Sequence, residues 1–149
     1  MTYEFTTNSP EETLALGARI GALLSGGEIV LLNGELGAGK TLLTRGIVQG
    51  MEPDAQTRVV SPSFTLVNIY NARLDIIHVD LYRLDSEEIA HLGLEDYMDG
   101  DHVLIVEWAE RACGFFRGAT VDIVINHAGE SSRNILISTG ITRMEALSG

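Results

Sequence analysis

Gripping a nucleic-acid backbone requires a basic face, and although nine arginines could cluster, the net charge of −11 on this 149-residue chain disfavours stand-alone tRNA or DNA binding. A hydrophobic fraction of 45% suits one domain over residues 1–149 with a real core, and no apolar run approaches the ~20 residues of a membrane span. A single cysteine, Cys113, excludes an internal disulfide and a cysteine-based zinc site, and reads as a small core or boundary residue.

The opening Met1-Thr2-Tyr3-Glu4-Phe5 has neither the basic stretch nor the apolar region of a secretory signal, so a cytoplasmic protein is the expectation. Ser9-Pro10-Glu11-Glu12 reads as a helix start: a capping side chain, proline in the first turn, then acids at the positive end of the dipole. Leu14, Leu16, Ala18, Ile20, Leu23 and Leu24 supply an apolar face out to Ser25-Gly26-Gly27. Leu24-Ser25-Gly26-Gly27-Glu28 imitates a stretch that transporter ATPases carry long after their phosphate loop. Here it comes first, and a helix end leading into a strand accounts for its glycines.

Ile29-Val30-Leu31-Leu32 is an aliphatic strand run. It leads into Gly34-Glu35-Leu36-Gly37-Ala38-Gly39-Lys40-Thr41, which fits the phosphate-binding loop G-x-x-x-x-G-K-[ST] and contains the chain's only lysine. Glycines let backbone N–H groups turn inward around phosphate oxygens. The following helix adds its orphan N–H groups to the same anion. Lys40 offers a compact charge for the β and γ phosphates, and the Thr41 hydroxyl a ligand for Mg²⁺. Leu42, Leu43 and Ile47 suit the buried face of a helix ending near Gly50. Strand, loop and helix in that order are the setting a nucleotide site needs.

Residues 52–60 read as a polar loop, and Ser61-Pro62-Ser63 breaks the backbone again. Residues 64–73 and 74–80 read as two strands of a hairpin turning at Asn71-Ala72-Arg73. Two short helices are expected over 86–92 and 94–98, and a buried strand over 102–107. Two further strands over 121–126 and 134–138 join through a polar turn around Gly129-Glu130-Ser131. The fold class expected is α/β: a three-layer sandwich of the P-loop NTPase kind, with a central mixed β-sheet flanked by helices.

A phosphate loop needs a carboxylate at another strand's end to hold Mg²⁺, directly or through water. Ile76-Ile77-His78-Val79-Asp80 and Val103-Leu104-Ile105-Val106-Glu107 both qualify, and pattern alone does not assign which acid touches the metal. His78, His91, His102 and His127 show no metal-ligand spacing. With one lysine already in the loop, the N-K-x-D element of guanine-specific GTPases is absent. Three readings stand: a partner-dependent ATPase, a small-molecule kinase of the same size, and a nucleotide-gated interaction module. Arg111 and Arg117 are too few and too separated to make a kinase lid. On the residues alone, Trp108 reads as a core aromatic, Ser61-Pro62-Ser63 as a turn, and Arg83 as a surface residue or a partner for Asp80.

Taken together, residues 34–41, Ser61-Pro62-Ser63-Phe64-Thr65-Leu66-Val67, His78-Val79-Asp80-Leu81-Tyr82-Arg83-Leu84 and Glu107-Trp108 resemble, in order and spacing, the TsaE (YjeE/YdiB) family. These are small bacterial ATPases of tRNA threonylcarbamoyladenosine biosynthesis, and the resemblance covers nearly the whole chain. It implies ATP and Mg²⁺ as cofactors, with Gly37, Ala38, Gly39, Lys40, Thr41 and Leu42 around the phosphates and Thr41 and Glu107 on Mg²⁺. It further implies Asp80 beside the γ-phosphate supporting hydrolysis with Lys40 and Thr65, and a switch-like loop from Ser61 through Ser63 to Thr65. Trp108 would lie close by, and Ser9, Glu11 and Arg133 near the adenine. Its implied partners are the TsaB and TsaD proteins, with tRNA reached only indirectly through that complex and no membrane involved. The chain departs from the common pattern at Leu42, where a second threonine is frequent, and at Ser63, where threonine is frequent and a hydroxyl remains.

Overall fold

In the computed structural model, which describes residues 1–35, 37–112 and 114–148, the chain runs β1 (Thr2–Thr7), α1 (Pro10–Ala22), β2 (Ile29–Gly34), α2 (Lys40–Gly50), β3 (Val67–Tyr70) and β4 (Asp75–Asp80). It continues α3 (Ser86–Ala90), a 3₁₀ turn Leu94–Tyr97, β5 (His102–Glu107), a 3₁₀ turn Ala109–Ala112, β6 (Thr120–His127), β7 (Arg133–Thr139) and a last 3₁₀ segment Thr142–Ser148. One seven-stranded sheet has the order β1-β7-β6-β2-β5-β4-β3. Its four central strands, β6, β2, β5 and β4, are parallel, while β1, β7 and β3 pair antiparallel at the edges. This is the expected mixed sheet between helical layers.

Alternation along the central strands sorts their side chains into two cores. Val30 and Leu32 with Val103, Ile105, Val121 and Ile123 face α1 and α2. Ile29, Ile77, Val79, Leu104 and Val106 face Ile89, Leu94 and Phe116 on the other side. Ile20, Leu43 and Ile47 are fully buried, and each such side chain contributes ~1.5–3 kcal/mol.

Helix α1 starts where its sequence signals it. The Ser9 hydroxyl accepts the Glu12 N–H at 3.2 Å, and the Glu12 carboxylate reaches back to accept the N–H of Asn8, one residue before the cap, at 3.1 Å. The two helices on the phosphate-loop face touch backbone to backbone. A Cβ at Gly21 would stand 2.0 Å from the Ile47 carbonyl oxygen, and one at Gly50 2.2 Å from that of Ala18; Gly17 and Gly46 meet between them. Glycines four apart on both helices thus form a groove against a groove, an arrangement that the reading of Gly50 as a helix end did not reveal.

The glycines of residues 24–28 also have their explanation. The buried Glu28 carboxylate folds back to accept the N–H groups of Ser25 and Gly26 at 2.8 and 2.7 Å, and Gly26 sits at φ +115°. The stretch is a helix-to-strand turn held by its own acid.

Strand β1 was not expected from the sequence. It alternates, with Tyr3 and Phe5 packed against the core, but its partner β7 lies some 130 positions along the chain. The hairpin of β3 and β4 forms with a first strand three residues shorter at its start than expected. The reading of Cys113 concerns a residue outside those described, as does Leu36 of the phosphate loop.

Candidate active site

Strand parity builds the site. Residues 76, 78 and 80 of β4 and 103, 105 and 107 of β5 point to the α2 side, and Asp80 pairs with Glu107 in the parallel register. Both acids therefore stand side by side at the carboxyl ends of neighbouring strands, the edge where open α/β sheets bind ligands. The loop after β2 ends on the same edge. Its Gly37 and Gly39 take φ +77° and +106°, and Gly39 leads directly into α2. A non-glycine residue in the left-handed region is strained, so the backbone path of this cradle depends on them.

A cavity of about 400 Å³ lies over this edge, lined by Gly37, Gly39, Lys40, Thr41 and Leu42 from the loop, Asp80 and Glu107 below, and Ser61, Ser63, Arg45 and Trp108 around the rim. Three of its charged groups are deep, with relative exposure of 7% for Lys40, 5% for Asp80 and 3% for Glu107, while Arg45 at the rim is exposed. The Lys40 ammonium donates to the carbonyls of Gly34 at 2.7 Å and Glu35 at 3.3 Å, and lies 4.3 Å from the Trp108 ring centroid. Burial holds its pKa below that of an ordinary lysine, against the opposing fields of Glu107, Glu110 and Asp80. Burial likewise raises the Asp80 carboxyl above its usual range, and the Glu107 charge adds to this. A hydrogen bond from the Tyr82 N–H at 2.9 Å and the nearby His78 and Lys40 counteract it.

Trp108 is half-buried: it packs against the second core and also forms part of the cavity wall. Its φ of +59° is rare for a bulky residue, and the turn it makes places the ring against Tyr82, centroids 4.8 Å apart, and against Lys40. Arg83 does not pair with Asp80; its guanidinium packs 4.6 Å over the Phe64 ring. The Ser61 and Ser63 hydroxyls lie 2.6 Å apart at the cavity rim. Thr65 is exposed, stands outside the lining, and donates to Asn68 Oδ1 at 2.8 Å.

A smaller cavity of about 120 Å³ opens on the far side of the phosphate loop, lined by Pro10, Thr13, Gly39, Leu42, Glu130, Ser131 and Arg133. Arg133 Nε donates to the Ala38 carbonyl at 2.7 Å, tying β7 to the loop. Ser9 and Glu11 are not among its lining residues: Ser9 caps α1, and Glu11 is exposed in the first turn.

The residues present suit a Mg²⁺-bound nucleoside triphosphate. The donors converging on the cavity are hard oxygens, from Thr41, Glu107 and Asp80, which is the set Mg²⁺ prefers when phosphates complete its shell. Among the described residues no group of three or more His, Cys, Asp and Glu could hold a metal by itself. Sequence reasoning missed Arg45, one turn into α2, and Tyr70 and His78 beneath Glu107; Arg45 carried only the signal of a polar position after the loop.

A family model described as "Threonylcarbamoyl adenosine biosynthesis protein TsaE" matches residues 7–135. Proteins named tRNA threonylcarbamoyladenosine biosynthesis protein TsaE are similar throughout. That of Nostoc sp. is 38% identical over 86% of this chain and 80% of its own, and that of Bacillus subtilis 37% identical over 97% and 90%. The crystal structure of Bacillus subtilis YdiB superposes with a TM-score of 0.81 at 34% identity, covering 99% of this chain and 92% of that one. Sequence and architecture agree from the first strand to the last, and this chain belongs to the TsaE family.

Proposed function

We propose that this protein is a Mg²⁺-dependent ATPase that serves the formation of threonylcarbamoyladenosine in tRNA, the pathway its relatives' names state. The observation that carries the reading is the convergence on one cavity of the glycine cradle, Lys40, Thr41 and two buried strand-end carboxylates. Lys40, turned from the Gly34 and Glu35 carbonyls toward phosphate, neutralises the β and γ oxygens. Thr41 and Glu107 would hold Mg²⁺, which would supply charge neutralisation there. Asp80, its basicity raised by burial, orients the attacking water and takes up its proton. The Ser61, Ser63 and Thr65 segment closes over the γ-phosphate side, and the smaller cavity between α1 and Arg133 takes the adenine.

On this reading no arginine of a mobile loop is poised, among the described residues, to neutralise the transition state: Arg45 at the cavity rim belongs to helix α2, Arg83 and Arg111 lie on aromatic rings and Arg133 on the loop backbone. Such a residue is worth ~10³-fold or more, so hydrolysis by the chain alone is slow and rises on docking to the TsaB–TsaD pair in the cytoplasm. The acidic balance assigns tRNA to those partners. A reconstituted assay adding TsaB and TsaD one at a time tests this. ATPase activity indifferent to both, phosphate delivered to a metabolite in place of water, or tight tRNA binding by this chain alone at physiological salt would sink it.

A further inference from the structure

Beneath the cavity lies a group that neither catalysis nor cation binding uses. His78 is 0% exposed, facing the same side of β4 as Asp80. Its Nε2 is 2.6 Å from Glu107 Oε2, and its Nδ1 is 3.0 Å from the Tyr70 hydroxyl. That hydroxyl also lies 3.1 Å from the carbonyl oxygen of Val60, the residue immediately before Ser61. Val60 is gripped a second time, by Asn68 Nδ2 at 3.2 Å, and Asn68 in turn accepts the Thr65 hydroxyl. Both ends of the 61–65 segment are thus attached to one short strand, β3, which pairs with the strand carrying His78.

These contacts run in series. A carboxylate only accepts, so His78 donates Nε2–H to Glu107, and its Nδ1 meets the Tyr70 hydroxyl. The same hydroxyl reaches the Val60 carbonyl, so movement of Val60 shifts it and with it the restraint on the imidazole that aims the Glu107 carboxylate. Partners of this kind around a metal ligand set its orientation and affinity.

We propose that Tyr70 and His78 are positioning residues that couple the 61–65 loop to the Glu107 carboxylate, so that loop position and Mg²⁺ binding bias one another. The inference rests on the reading of Glu107 as a holder of Mg²⁺, and it assigns no chemistry to His78 itself. Coupling is reciprocal: closing the loop tightens the cation, and the cation orders the loop.

The test uses the full chain with a non-hydrolysable ATP analogue, so that no turnover enters. Mg²⁺ is titrated with fluorescence of Trp108, the only tryptophan, as the signal, and hydrogen exchange is followed over residues 60–66. Tyr70→Phe removes one hydroxyl and nothing else. It should leave analogue affinity in EDTA unchanged, weaken Mg²⁺ by about three- to tenfold, and abolish the Mg²⁺-dependent slowing of exchange in the loop. His78→Gln, which replaces the rigid imidazole between Glu107 and Tyr70 by a flexible amide, should weaken Mg²⁺ by about tenfold. A folded Tyr70→Phe protein whose loop still responds to Mg²⁺ as the parent's does overturns the coupling, whatever its Mg²⁺ affinity. Glu107→Gln separates the two ideas. If it titrates like the parent, Glu107 does not hold the cation and the proposal falls with that reading. If it loses Mg²⁺ while Tyr70→Phe behaves as the parent, only the coupling is wrong.

Discussion

The ends of β4 and β5 carry the same functional group in the same register, yet they are built for different work. Asp80 and Glu107 are both buried, both on the α2 side, and neighbours across one parallel pairing. Glu107 is held by a side chain, the His78 imidazole, while the hydrogen bond to Asp80 comes from the backbone of its own turn at Tyr82. An acid clamped by a rigid buried ring suits holding a cation in place. One bonded only to a local N–H, with its carboxyl raised by burial, suits exchanging a proton. Register brings two carboxylates to one site; their neighbours decide what each does there.

Substituting the acids one at a time breaks the comparison most sharply. Asp80→Ala should lower ATP turnover by about 10³-fold and leave nucleotide affinity close to that of the parent, measured as phosphate release and analogue binding. If instead Asp80→Ala abolishes Mg²⁺-dependent binding and Glu107→Ala keeps it, the two roles are exchanged. Next in size is Lys40, the cation whose field both acids share. Lys40→Ala should weaken ATP by about a hundredfold, and Lys40→Arg should fail as well, because the broad guanidinium does not fit among phosphates in the loop. Unchanged affinity in a nucleotide titration would remove Lys40 from the site.

Glu107→Ala should weaken nucleotide binding by about tenfold in Mg²⁺ and not at all in EDTA; equal losses in both would mean that Glu107 acts on the fold, not on the cation. The smallest effect concerns pH. Because burial raises the folded-state pKa of Asp80, the folded protein holds more protons than the unfolded chain between the ordinary aspartate range and that raised value. Stability therefore falls as pH rises through that window. Asp80→Asn should raise the thermal midpoint at neutral pH, and its advantage should shrink on acidification toward pH 4. A midpoint difference independent of pH would show that the Asp80 charge is not penalised by its burial.

How much of this was legible in the sequence follows from how far apart the partners are. The phosphate loop, its strand and helix, the α1 cap and the hairpin are each set within about a dozen residues, where periodicity, glycine and capping chemistry act directly. Strand β1 was illegible because its pairing with β7 is satisfied only across the whole chain. The close crossing of α1 and α2 was equally hidden, since Gly17, Gly21, Gly46 and Gly50 have meaning only against each other.

The site divides in the same way. Lys40, Thr41 and the strand-end position of both acids belong to local pattern, because a phosphate cradle is a backbone conformation that its own glycines permit. Only the tertiary structure placed Arg45 at the cavity rim, Thr13 and Glu130 beside Arg133 around a second cavity, and the Trp108 ring against Lys40. Only it gave one of two like acids an imidazole and left the other with a backbone N–H. Burial and partnership are properties of surfaces brought together from distant parts of the chain. Strand spacing reports which side of the sheet a residue faces, and carries nothing about what meets it there.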